Sequence, residues 1–84
     1  MWIRNLYNPV SPNGDMGLTE LTREIERRLT GDHNVVQHTT CVAVWCEYDD
    51  AAMVANTAPE YDAKIHRVEG SEFEGNIYIT LVKQ

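Results

Sequence analysis

The 84-residue chain carries thirteen acids against seven bases, for a formal net charge of −6, with 43% hydrophobic and 24% charged residues. That composition is globular rather than disordered, and the length leaves room for one hydrophobic core, read as a single domain spanning residues 1–84. The negative sign disfavours direct binding to nucleic acid, and no apolar run approaches the roughly 20 residues that a membrane-spanning helix needs.

Residues 2–7 hold Trp2, Ile3, Leu6 and Tyr7, a pattern that suits a short strand ended by Asn8-Pro9. Residues 9–17 gather two prolines, two glycines, Ser11, Asn13 and Asp15, the chemistry of a loop. Leu18, Leu21, Ile25 and Leu29 then recur at three- and four-residue spacing, which predicts an amphipathic helix. Asp15 or Thr19 is expected to cap its start, Gly31 to stop it in a left-handed conformation, and Glu24 to pair with Arg28 one turn on.

Residues 35–48 are rich in β-branched side chains and read as one long strand or two short ones. Val42, Val44 and Cys46 fall on one face and Cys41, Ala43 and Trp45 on the other, so both faces are apolar, as in a central strand. Residues 49–56 suit a short helix capped by Asp49 or Asp50, ended by Thr57-Ala58-Pro59. Residues 61–69 alternate imperfectly and residues 77–83 alternate well, with turn chemistry between them, which predicts an antiparallel hairpin. The expected fold is α+β, a two-layer arrangement of about four antiparallel strands with one main helix on one face, in the order β-α-β-(short α)-β-β. The other sheet face is left for solvent, a ligand or a second copy of the chain.

His33, His38, Cys41 and Cys46 are zinc-type side chains, but their spacing is not that of paired ligands on turns, and His38 and Cys41 would point to opposite strand faces. No metal and no cofactor is expected. The two cysteines would lie about 16 Å apart along one strand, beyond the ~7 Å reach of a disulfide. Free thiols, and an opening segment interrupted by Arg4, Asn5 and Pro9, lead to the expectation of a soluble, cytoplasmic protein. Neither cysteine has a predicted cationic or helix-end neighbour to make it a nucleophile, and no serine elbow or phosphate-binding glycine loop is present.

Charge is unevenly spread: residues 1–46 hold five acids and four bases, residues 47–84 eight acids and three bases. The acids of the second part, Glu47, Asp49, Asp50, Glu60, Asp62, Glu69, Glu72 and Glu74, fall at predicted strand ends and turns. Such a surface attracts a basic protein partner, with Tyr48 and Tyr61 as candidate aromatic anchors. Asp49 or Asp50 followed by Asp62-Ala63-Lys64 resembles the metal-binding pattern of restriction-endonuclease-like nucleases, which implies metal-dependent phosphodiester cleavage as an alternative. In size and charge the chain also resembles phage-encoded inhibitors, anti-CRISPR proteins among them, which implies a non-catalytic module that occupies a nucleic-acid-handling protein. An antitoxin or small assembly subunit is a third expectation. The narrow stability of so short a chain leaves room for a homodimer.

Overall fold

The computed structural model describes residues 12–84, with side chains from residue 17 onward. The strand expected at residues 2–7 lies outside them. Helix α1 spans Pro12–Arg28 and so takes in the last six residues of the segment expected to be loop. Proline suits the first helical position because its φ already fits and it has no N–H to leave unpaired. Asp15 and Thr19 consequently fall within the helix instead of capping it. At Gly17 an added Cβ would come within 2.8 Å of the Lys83 Nζ, the tip of a flexible side chain that can move aside. The predicted stripe of Leu18, Leu21, Ile25 and Leu29 is buried along its whole length.

The end of α1 also differs from expectation. Positive φ occurs among the described residues at Asp62, Gly70 and Gly75, and Gly31 does not adopt it. A Cβ at position 31 would meet the Glu47 carboxylate at 2.4 Å, so that flexible side chain would have to swing aside. The chain after α1 is held by Asp50, whose carboxylate accepts hydrogen bonds from the Gly31 N–H (3.0 Å), the Thr30 N–H (3.3 Å) and the Thr30 hydroxyl (2.9 Å).

The β-rich segment forms two strands, β1 (His33–Gln37) and β2 (Cys41–Glu47), closed by the His38 N–H donating to the Cys41 carbonyl at 2.8 Å. A 3-10 turn (Tyr48–Asp50), helix α2 (Ala51–Thr57) and a second 3-10 turn (Ala58–Tyr61) follow, and strands β3 (Ala63–Gly70) and β4 (Asn76–Lys83) complete the chain. Neither Asp49 nor Asp50 caps α2 with its side chain. The four strands form one antiparallel sheet in the order β1-β2-β4-β3, so β2 is central as its two apolar faces predicted.

One face of the sheet is the core. Val42, Val44 and Cys46 of β2 join Ile77, Ile79 and Leu81 of β4, with the α1 stripe and Val54 of α2 above them. Arg28 ties the two helical segments together: it donates to Glu24 at 2.5 Å, to Thr57 at 3.0 Å and through two nitrogens to Glu60 at 3.1 Å. The imperfect alternation of β3 has a local cause. Ile65 pairs with Leu81 and Arg67 with Thr80, leaving His66 as a bulge that shifts the face pattern by one residue. Ile65 and Val68 therefore share the helical face, while Lys64, Arg67 and Glu69 share the opposite one.

Candidate functional site

The turn between β3 and β4 is built by short backbone bonds. The Glu74 N–H donates to the Ser71 carbonyl (3.1 Å), the Gly75 N–H to the Glu72 carbonyl (3.2 Å), and the Tyr48 N–H to the Gly75 carbonyl (2.9 Å). The last of these docks the hairpin tip against the end of β2. Glu47, Tyr48, Asp49, Glu72 and Gly75 then surround a polar cleft of about 300 Å³. Phe73 stands at the tip between Glu72 and Glu74, 94% exposed. A phenyl ring in water contributes nothing to the core and forgoes a burial worth roughly 2–3 kcal/mol.

Beside this tip runs an apolar groove of about 490 Å³. Its floor is the helical face of the hairpin, Ile65, Val68, Ile77 and Ile79, and its wall is the small-residue side of α2, Ala51, Ala52 and Ala55. Alanines on α2 do not reach the far hairpin, so Ile65 and Val68 stay 41% and 48% exposed. Tyr48 and Asp49 close the end of the groove nearest the tip.

The eight acids expected to form one surface separate into three groups. Glu47, Asp49, Glu72 and Glu74 gather at the hairpin end, and none of the ion pairs among the described residues involves them. Glu47 is partly engaged, accepting from the Asp32 N–H at 3.3 Å. Asp50, Glu60 and Glu69 belong to the fold. Asp50 is 6% exposed and bonded to residues 30 and 31, Glu60 is paired with Arg28, and Glu69 with Arg67 at 2.5 Å. Asp62 lies at the opposite end of β3, about 25 Å of strand away from the tip. Its left-handed φ of 57° suits aspartate and ends the second 3-10 turn. Of the two tyrosines, Tyr48 is 41% exposed at the groove, whereas Tyr61 packs against the core.

Electrostatics follows this division. Hydrogen bonds from Arg27 and Arg28 outweigh burial and hold Glu24 below the usual carboxylate range, and that from Arg28 does the same for Glu60. Burial would raise Asp50, but the donors at Gly31 and Thr30 reverse it and leave the carboxyl low. Burial, with Asp50 and Glu47 nearby, pushes the Cys46 thiol up.

No family model, curated protein or solved structure matches the chain.

The nuclease-like pattern does not converge. Asp49 borders the groove on the helical face, Asp50 is bonded to the end of α1, and Lys64 pairs in register with Val82 on the other face of the sheet. Among the described residues, no group of three or more His, Cys, Asp or Glu side chains is placed to hold a metal ion. Cys46 is buried on the helical face and Cys41 lies on the opposite one, both as free thiols. The residue that the sequence reading missed is Phe73. Its signal was present: a lone aromatic inside turn chemistry, flanked by two glutamates and outside any apolar alternation.

Proposed function

We propose that the chain is a non-catalytic protein-binding module that engages a basic partner through the β3–β4 hairpin tip. The observation that carries the reading is Phe73, 94% exposed between two glutamates. An aromatic ring ringed by carboxylates matches a partner surface in which an apolar pocket is surrounded by Lys and Arg. Glu72, Glu74, Asp49 and Glu47 speed and orient the encounter, and Phe73 with Tyr48 supplies the desolvated contact. Nucleic-acid-handling proteins carry cationic surfaces for phosphate, and a chain that covered one would inhibit it.

Affinity capture from the source cells with the wild-type chain and with Phe73→Ala, followed by mass spectrometry and titration of the recovered partner, tests this. The expected result is a basic protein bound by the wild type, with affinity falling at least 30-fold in Phe73→Ala. Binding should also weaken steeply between about 50 mM and 500 mM salt. Equal binding by Phe73→Ala, or affinity indifferent to salt and to Glu72→Gln/Glu74→Gln, refutes it.

A further inference from the structure

The sheet face away from the helices has no covering element among the described residues, and its charges are arranged in a self-complementary way. We infer that this face binds a second copy of the chain, with a two-fold axis running across the strands so that β3 lies over β3 in the opposite direction.

The register gives three cross-strand rows on this face. Cys41, Val82 and Lys64 form one end, Val36, Ala43, Thr80 and Arg67 the middle, and Asn34, Trp45, Tyr78 and Glu69 the other end. Bulk and charge both run from end to end. The third row is tall, with Trp45 and Tyr78 in tilted ring contact at 6.4 Å, and it is acidic. The first row is lower and basic. The middle row is low where Ala43 and Thr80 lie side by side.

A two-fold axis through the middle row places each tall row over the partner copy's low one and each Lys64 against the other copy's Glu69. Val36, 42% exposed, meets its own equivalent, and Tyr78, 57% exposed, is covered. One like-charge contact opposes this arrangement: Arg67, in the middle row, meets its own equivalent at the rim, where Glu69 of the same copy, at 2.5 Å, offsets it in part. Glu47 lies beyond the third row, with its carboxylate turned toward the Asp32 N–H. A chain of net charge −6 repels itself over most of its surface, but Lys64, Arg67, Glu69 and Glu47 sum to zero here.

Four strands about 4.8 Å apart and seven residues of about 3.3 Å each give a flat patch on the order of 450 Å² per copy, before side-chain relief is added. The two copies together bury about 900 Å², below the roughly 1,200–2,000 Å² of stable interfaces and in the range of weak, transient ones, so the dimer is expected to dissociate at about 100 micromolar or above.

Sedimentation equilibrium on the full chain, with Lys64→Glu, Glu69→Lys and the double reversal, tests the inference. Lys64 and Glu69 are five residues apart on one strand, about 16 Å, so they do not touch within a copy, and any coupling between them arises between copies. Each single reversal is expected to raise the dimer dissociation constant about tenfold, and the double reversal to restore it in part, because Glu69→Lys also leaves Arg67 without its ion pair. Far-UV circular dichroism at dilute, monomeric concentration separates misfolding from lost association. A chain that stays monomeric at millimolar concentration overturns the inference. So does a dimer indifferent to the reversals, which would associate through another surface.

Discussion

Replacing Asp50 with alanine removes one carboxylate that joins the end of α1 to a turn 20 residues later. Three donors lose their acceptor: the Gly31 N–H at 3.0 Å, the Thr30 hydroxyl at 2.9 Å and the Thr30 N–H at a longer 3.3 Å. A hydrogen bond to a charged group is worth about 1.5–3 kcal/mol, but Thr30 is exposed, so water replaces much of what its two groups lose. The Gly31 bond then dominates, and the expected loss is about 2–3 kcal/mol, or roughly 8–20 °C in midpoint for a chain of this size. Asp50→Asn keeps one acceptor oxygen and should lose about half as much. The pH dependence has a definite sign. The folded-state pKa of Asp50 lies below its unfolded value of about 3.9, so its contribution is complete above that value and disappears as pH falls through the folded one. Urea unfolding followed by circular dichroism should therefore show a wild-type advantage over Asp50→Ala that is full at pH 7 and narrows below about pH 4. A difference under about 0.5 kcal/mol at pH 7, or one that persists unchanged to pH 2.5, would show that this carboxylate does not hold the end of α1.

Phe73→Ala should leave stability within about 0.5 kcal/mol of wild type by the same assay, because the ring touches little of the fold; a larger loss would mean that the ring packs on the protein. Gly70→Ala and Gly75→Ala separate two kinds of strain. At Gly70 φ is +115° and an added Cβ would lie 2.7 Å from the Asn76 carbonyl, whereas at Gly75 φ is +81° with open space around it. The first should destabilise by about 2–3 kcal/mol and the second by about 1, and the reverse order in thermal melts would contradict the geometry. Native protein at dilute, monomeric concentration treated with a thiol-reactive disulfide at pH 8 should be labelled at Cys41 and not at Cys46, which is buried with a raised pKa; equal labelling rates would rule out this placement of the two thiols.

The core was legible because period carries most of the information about it. Leu18, Leu21, Ile25 and Leu29 could bury together only on a helix, and Val42, Val44 and Cys46 only on a strand, so both faces followed from spacing. The N-terminal turns of α1 were not legible, since Pro12, Gly14 and Gly17 resemble a loop until the fit of proline to a first turn is considered. Charge was harder to place than apolarity. Eight acids close in sequence read as one surface, but whether a carboxylate faces water depends on partners distant along the chain: Arg28 for Glu60, and Thr30 and Gly31 for Asp50. Glu72, Glu74 and Asp49 stay open because the tip brings no described cation within ion-pair distance of them. Phe73 was overlooked for a related reason, since an aromatic is expected inside and its neighbours in sequence gave no packing partner to argue from.

The bulge at His66 makes β3 a strand written in two phases. Deleting His66 would leave Ala63 and Ile65 on the helical side and return Arg67, Val68 and Glu69 to plain alternation, with every face assignment intact. Deleting Ile65 instead would put His66 in its place on the groove floor, and deleting Val68 would force Glu69 and Gly70 to choose between their pairing with β4 and their facing. His66 thus marks the place where this edge can gain or lose a residue while the groove and the rear face keep their separate chemistries.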